Sequence, residues 1–359
     1  MDWILVLTVV ALLAIGMVLI SSATHNDALV AGYNRFVLRQ GIFIGINLIL
    51  VCLLLRIDYH SLTAVTRPLY IVMLVLLLAV ALFGHTSLGA QRWIRIGPVT
   101  FQPSEFSKAL MIVCLAAFLD RGREYMDELK DYLPAVAYVF VPFFLVLRQP
   151  DLGTALVFAA IAFCMFWVCG FKVKWLAVMT GIGAAAAPLL WHLLHEYQRN
   201  RIRVFLNPEL DPYGAGYHVI QSKIAIGSGM LFGKGWMQGT QSQLSFLPEN
   251  HTDFIFAVAG EEFGFVGVTL ILLLYLILTW RALTIALNAE DRFGRLLATG
   301  ITGMLLFHVL VNVGMTAGIM PVTGVPLPFL SYGVSSLSTN LVLVGLLLDI
   351  HLRQAKLQF

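Results

Sequence analysis

Charge is what this sequence has least of. Lys, Arg, Asp and Glu make up 12% of its 359 residues against 59% hydrophobic, and the mean hydropathy is +0.85. A soluble domain carries about twice that share of charge, so a soluble fold is excluded. The formal net charge is only +3, and no nucleic acid is expected among the partners. Cysteine is almost as scarce. Cys52, Cys114, Cys164 and Cys169 all sit in apolar runs without metal-ligand spacing, which argues against a disulfide framework or a zinc motif. The first apolar run, Trp3 to Ile20, has no basic stretch before it and no small-residue cleavage site after it, and predicts a retained helix. The internal repeat expected of many secondary transporters is not seen either.

Apolar runs near bilayer-crossing length recur through the chain. They lie at about 3–22, 37–55, 69–84, 105–119, 133–147, 153–170, 175–192, 254–280, 296–314 and 332–350. They predict an all-α polytopic membrane protein of about ten transmembrane helices, a single membrane domain over 1–359 with a large extracytoplasmic loop at about 193–253. Pro68, Pro134 and Pro188 fall at or inside helix ends, where proline can kink a membrane helix without stopping it. With the N-terminus inside, twelve basic residues of the short loops face the cytoplasm. Arg35, Arg39, Arg92, Arg95, Lys108 and Arg148 lie outside, half as many, which predicts both termini cytoplasmic. Cations kept outside against that trend suit a bound anionic substrate.

Four outer stretches carry them. Gly89 to Lys108 (GAQRWIRIGPVTFQPSEFSK) sets Arg92 and Arg95 before a helix start at Pro103, with Glu105 and Lys108 on one helix face, where they serve chemistry or neutralise each other. Arg148 to Thr154 (RQPDLGT) is a tight turn with Arg148 and Asp151 at the outer surface. In the long loop, Arg199, Ile202, Arg203 and Leu206 share one helical face, and Tyr217, Ile220 and Ile224 another, beside Gln221 and Lys223. These predict short amphipathic helices in the interface plane. The glycine-rich continuation GSGMLFGKG offers backbone N–H donors suited to phosphate oxygens, or simply a bend. Gly318 to Ser336 (GIMPVTGVPLPFLSYGVSS), with Ser331 and Tyr332, is too rich in proline and glycine for a regular helix, and such backbone at membrane depth lines a cavity or is buried in protein.

The polar island from Gly233 to Phe256 is the focus. Lys234, Glu249, His251 and Asp253 arrive just before an apolar run, either as a functional cluster at a helix mouth or as a loop whose Asp253 complements the helix dipole. Glu261 and Glu262, two turns deeper, are expected to face the bundle interior. Gly41 with Gly45, and Gly260 with Gly264, form small-xxx-small pairs expected to bring helices close.

QRWIRIGPVTFQPSEFSK, QPDLGTA, GKGWMQGTQSQLSFLPENHTDFIFA and MPVTGVPLPFLSYG together resemble the signatures of the SEDS (shape, elongation, division and sporulation) family over essentially the full length. The GKGW, GTQS and FLPE run resembles the elongation branch more than the division branch. One position departs from the family pattern: Gly333 is followed by Val334 where a second glycine is usual, which bears on the backbone after Tyr332.

The resemblance implies a peptidoglycan glycosyltransferase of the bacterial cytoplasmic (inner) membrane that polymerises lipid II, an undecaprenyl-pyrophosphate-linked disaccharide peptide. It implies work beside a class B penicillin-binding protein and other elongation-machinery membrane proteins. It also implies that Asp253 is essential and that Glu105 and Lys108 matter. On that basis Asp253 is the expected base for an inverting displacement. Arg92, Arg95, Lys108, Arg148, Arg203, Lys223 and Lys234 form the pool of cations for the pyrophosphate, with Asp151, His251, Ser331 and Tyr332 as further substrate contacts. The sequence specifies no cofactor, and a divalent cation, Mg2+ or Mn2+, is a candidate with Asp151, Glu105 or Asp253 as ligands. The eighth and ninth spans, with Gly260 and Gly264, are the expected partner surface. A lipid II flippase is the alternative and predicts charge spread through the whole depth; a non-catalytic scaffold would leave Asp253 without a role.

Overall fold

A computed structural model describes residues 1–354 except 27, 28, 30, 31, 88, 89, 97, 98, 123–128, 194, 195, 212, 213 and 245. Helices α1 Trp3–Ala23, α2 Arg35–Leu54 and α3 Leu62–Phe83 lead into three short strands, β1 His85–Ser87, β2 Ala90–Ile96 and β3 Val99–Phe101. Then come α4 Pro103–Asp120, α5 Leu129–Arg148, α6 Leu152–Val168 and α7 Val173–Leu193. The long loop holds α8 Glu196–Leu206, α9 Ala215–Ser228 and the single turn α10 Thr240–Gln243, and α11 Ile255–Asn288, α12 Arg292–Thr316 and α13 Val334–Gln354 complete the chain. Every one of the ten apolar runs thus contains a helix. Six, α1, α2, α3 with the turn before it, α11, α12 and α13, are long and apolar enough to cross a membrane by length and composition.

Short polar side chains start these helices. Asp2 accepts from the Leu5 amide at 3.1 Å, Asn34 from Phe36 and Val37, Asp151 from Thr154 and Asp291 from Gly294. Each satisfies an amide that the first turn leaves without a partner. Pro68, Pro134 and Pro188 lie inside helices, as the sequence allows. The apolar windows of α12 and α13 are 78% and 83% buried, against 17% and 22% for α2 and α11. α12 and α13 are therefore the centre of the bundle, and α2 and α11 present most of their surface outward.

The small antiparallel ribbon is an addition that the helical reading did not anticipate. β2 pairs with β1 (Thr86 opposite Gln91) and with β3 (Arg95 opposite Thr100). Its WIRI and VTF segments carry the aromatic and β-branched residues that suit strands, and the pairing satisfies backbone that would otherwise be unpaired between α3 and α4.

The glycines of the long loop have a different job from the one expected. α11 is broken at Gly264, whose φ of 64° and ψ of −163° are accessible almost only to glycine. The break exposes backbone groups, and the GSGMLFGKG stretch closes them. Lys234 and Gly235 amides donate to the Glu261 and Glu262 carbonyls at 3.0 Å, while Phe265 and Val266 amides donate to the Met230 and Leu231 carbonyls at 2.9 and 3.0 Å. The Lys234 and Gly235 N–H groups are spent on α11, as the bend, the alternative to a phosphate site, requires. Gly229 sits against the Gly260 carbonyl, Gly233 against the Glu262 carbonyl and Gly264 against Gly233. Gly260 and Gly264 consequently pack on the chain's own loop, which corrects their reading as a partner surface. A methyl built on Gly41 would meet only the Met17 methyl, at 3.7 Å, and one on Gly45 nothing within 4 Å, so that pair makes no close helix contact.

A substitution test follows. Gly264→Ala should lose most folded protein, since strained backbone of this kind costs about 1–3 kcal/mol before the steric overlap is counted. Gly45→Ala, with nothing within 4 Å, should match wild type in yield and melting temperature. Equal melting of the two variants in detergent would refute the seating of the loop on α11.

Candidate functional site

Asp253 is placed by its backbone. Glu249, at φ 50°, turns the chain, and the Thr252 and Phe254 amides both donate to its carbonyl at 3.2 Å. The next three carbonyls are each held from outside. The Tyr332 amide donates to His251 at 2.8 Å, the Ser331 hydroxyl to Thr252 at 2.6 Å and the Asn312 amide group to Asp253 at 3.0 Å. A turn restrained at three successive residues fixes where its carboxylate points.

That carboxylate borders the Pro-rich segment. A methyl group built on Gly324, at φ 76°, would lie 3.3 Å from Asp253 Oδ2 and 3.7 Å from an Arg201 guanidinium nitrogen. Arg201 also donates to the Val322 carbonyl at 2.9 Å. Asp253, Arg201 and Gly324 thus share one small space, in which a side chain at 324 would crowd the Asp253 carboxylate and strain a left-handed backbone. Burial pushes the Asp253 carboxyl up to about 6, with Arg201 and Arg92 pulling it down and Glu249 and Asp151 pushing it further up. Asp151 caps α6, accepting from the Thr154 amide at 3.2 Å and its hydroxyl at 2.9 Å. Arg92 on β2 reaches it at 3.7 Å, donates to the Pro150 carbonyl, and keeps a buried Nε without a hydrogen-bond partner. The ribbon and the α5–α6 turn therefore supply the second wall of the cleft beside Asp253, bringing Arg92 and Asp151 within electrostatic reach of its carboxylate.

The other sequence candidates fall elsewhere. Glu105 and Lys108 are buried and joined at 2.6 Å. Lys108 also meets His308 Nε2 at 3.2 Å, and His308 Nδ1 faces the Pro326 carbonyl at 3.2 Å. With 1% of its surface exposed, Lys108 is an internal anchor and not an open phosphate ligand. Lys234 pairs with Glu261 at 2.7 Å, and Glu261 also takes the Gln241 and Ser242 amides, so this lysine seats the loop and is removed from the cation pool. Arg203 pairs with Glu196 at 3.5 Å and covers the Trp191 ring. Lys223 is exposed beside Gly318, and Arg148 is exposed at the end of α5. The Arg95 side chain lies outside the described residues. Ser331 spends its hydroxyl inside the protein, accepting from the Leu327 amide at 2.9 Å while donating to Thr252, which makes it a brace for the Asp253 turn. His251 and Tyr332 join Phe36 in an aromatic cluster, with ring centroids 5.0 and 5.1 Å from Phe36. Val334 opens α13 and needs no left-handed backbone, so it is accommodated where the family usually has glycine.

The proposed divalent-ion donors do not converge. Glu105 is held by Lys108 and Asp151 by its cap, and among the described residues no three of His, Cys, Asp and Glu form a metal-holding group. Sequence reading missed Arg201, His308 and Asn312. Arg201 is two residues, about 200°, from Arg203 around the helix, on the side that carries the buried Gln198 and Val204.

Comparison with known proteins gives the family. The family model described as cell cycle protein, covering FtsW, RodA and SpoVE, matches residues 2–356. The chain is 43% identical over 352 residues to the peptidoglycan glycosyltransferase MrdB of Escherichia coli K12, covering 98% of this chain and 93% of that protein. It is 35% identical to the peptidoglycan glycosyltransferase RodA of Treponema pallidum, with 98% of each covered. Among solved structures, a chain of a peptidoglycan synthase complex that coordinates polymerization and crosslinking superposes with a TM-score of 0.84 at 35% identity and 98% coverage of both. The rod shape determining protein RodA of Thermus thermophilus gives 0.74 at 32% identity, covering 98% of this chain and 97% of that one.

Proposed function

The chain belongs to the family of cell cycle proteins that includes FtsW, RodA and SpoVE, and from that membership we propose that it polymerises lipid II into β-1,4 glycan strands. It is an enzyme of the cytoplasmic (inner) membrane in this reading, one multi-pass domain of ten spans with both termini inside. It acts during cell elongation beside a class B penicillin-binding protein. Relatives named peptidoglycan glycosyltransferase support the activity, and the neighbour from a synthase complex supports the partner.

The observation that carries the chemistry is Asp253, a partly accessible carboxylate beside Arg201 and near Arg92. The acceptor 4-hydroxyl attacks the anomeric carbon of the donor sugar as its proton passes to Asp253. The bond from that carbon to the pyrophosphate oxygen breaks, and undecaprenyl pyrophosphate leaves with the electron pair. One displacement turns the α linkage into a β linkage, so no covalent glycosyl-enzyme is needed. Arg201 and Arg92 stabilise the charge growing on the leaving group, where a planar two-pronged donor fits phosphate oxygens. The polyprenyl tail lies along the apolar outer surface of the bundle.

The test is strand synthesis from purified lipid II by this protein with its penicillin-binding partner. Glycan strands support the reading. No strands, with labelled lipid II moving between vesicle leaflets instead, would turn the assignment to a flippase. The pH profile adds a second check. A base must be unprotonated, so kcat/KM should climb tenfold per pH unit on the acid side and level off above an apparent pKa of about 6. A limb that breaks near 4 would mean that Asp253 is not the titrating base.

A further inference from the structure

We propose that Asn312 and His308, one turn apart on α12, are positioning residues that hold the two walls of the cleft in register. The proposal rests on the glycosyltransferase reading for its kinetic consequence, though not for its geometry. Asn312 is fully buried. Its side-chain nitrogen donates to the Asp253 carbonyl at 3.0 Å and to the Val325 carbonyl at 2.8 Å. An amide has two hydrogens, so this one group is fully used in tying the Asp253 turn to the Pro-rich segment. The Ser331 hydroxyl braces the same two elements from within the Pro-rich segment, between Thr252 and Leu327, whereas Asn312 ties both to α12.

His308 secures the same segment one residue further on. The Pro326 carbonyl can only accept, so the proton must sit on His308 Nδ1, which leaves Nε2 to accept from Lys108 Nζ. Lys108 is in turn fixed by Glu105 on its own helix. A continuous chain of contacts therefore runs from α4 through α12 to Val325 and Pro326. It continues to Asp253 on one side. On the other side, Gly324 and Val322 of the same segment adjoin Arg201. Residues i and i+4 share one helix face, so α12 presents a rigid two-point clamp to backbone that has no regular structure of its own.

This placement explains why the buried ion pair lies beneath the site without reaching it. It also predicts the kind of defect. Loss of the clamp lets Asp253 drift relative to Arg201, and a shift of about 1 Å in such a group costs on the order of 100-fold in rate. The substrate itself loses no contact, so KM should barely move.

The experiment uses the full-length protein with its penicillin-binding partner and compares Asn312→Asp, which keeps the shape but not the donors, with Asn312→Leu. A second pair is His308→Phe, which keeps volume, and His308→Asn, whose amide can replace the Nδ1 donor. We expect kcat for strand synthesis to fall on the order of 100-fold in both Asn312 variants, with KM for lipid II within about threefold. His308→Asn should recover most of what His308→Phe loses. A fall in kcat below threefold, or a fall matched by a rise in KM, would overturn the proposal.

Should the Asn312 variants not fold, the His308 pair decides. A readout independent of turnover is the pH dependence of carbodiimide labelling at Asp253, measured by mass spectrometry. This readout is taken on Asn312→Leu and the His308 pair, which leave the surrounding charges, Arg201, Arg92, Glu249 and Asp151, unchanged; Asn312→Asp is left out of it because its new carboxylate would itself shift the midpoint. A labelling midpoint that moves in the clamp variants supports positioning even if wild type makes no glycan, in which case the enzymatic reading alone fails. An unmoved midpoint with full activity rejects the clamp.

Discussion

Asp253→Asn is expected to reduce strand synthesis by at least about a thousandfold at matched folded protein, within the range a positioned general base supplies. The amide keeps the size and the backbone contacts of the turn, including the carbonyl held by Asn312, and loses only the ability to take a proton. The variant should melt no lower than wild type at neutral pH. The sign follows from the raised carboxyl. Its folded value of about 6 lies above the ordinary 3.8, so between those pH values the folded protein holds a proton that the unfolded chain would release. Folding is then penalised as pH rises through that window, by no more than about 3 kcal/mol before solvent access is allowed for. Removing the charge removes the penalty, so Asp253→Asn should gain melting temperature at pH 7.5 and show no gain below pH 4. Strands from the variant at near wild-type rate would remove Asp253 from its role as base. A variant that fails to fold at any pH would show that the carboxylate holds the turn together, contrary to the contacts described.

The helices were legible in the sequence because they rest on a local signal, long apolar runs. Asp253 stood out as an acid at a helix mouth, a signal that a residue complementing the helix dipole gives equally, and its proposed role came from the family resemblance. What could not be read was which side of a helix faces inward when the helix is neither clearly apolar nor clearly polar. Tyr217, Ile220 and Ile224 suggested one face of α9, whereas Val219, Ser222 and Ala225 are the buried ones. This helix approaches α11 closely at Gly260, where Ile226 lies 3.0 Å from a built methyl, and that long-range contact is not visible in the local pattern. The same error on α8 hid Arg201. His308 and Asn312 were passed over because a single polar residue in an apolar span looks like a satisfied core group until its partners are known. Long-range pairing decided these cases: Asn312 bonds a residue 59 positions away and Lys108 one 200 positions away.

Lys108→Met should be among the most damaging single changes outside the cleft. It leaves the Glu105 carboxylate buried with neither oxygen satisfied, because Oε2 already lacks a partner and Oε1 would lose the lysine at 2.6 Å. Breaking a buried pair from one side costs about 3–5 kcal/mol. Glu105→Leu strands the ammonium in the same way, with only His308 Nε2 left to receive it. The double variant Glu105→Leu with Lys108→Met is the informative one. An apolar pair of similar volume commonly restores the stability that either single change removes, so its folded yield and melting temperature should return close to wild type. Its polymerisation should not. Without Lys108 the His308 ring has no anchor on α4, and its hold on the Pro326 carbonyl loses that support. A double variant that folds and synthesises strands at the wild-type rate would confine the ion pair to stability. One that folds but binds lipid II many times more weakly would make Lys108 a substrate contact, despite its burial. A folded, substrate-binding and slow enzyme is the outcome that this geometry requires, because the charge pair sits beneath the cleft and bears on the chemistry only through the backbone that it fixes.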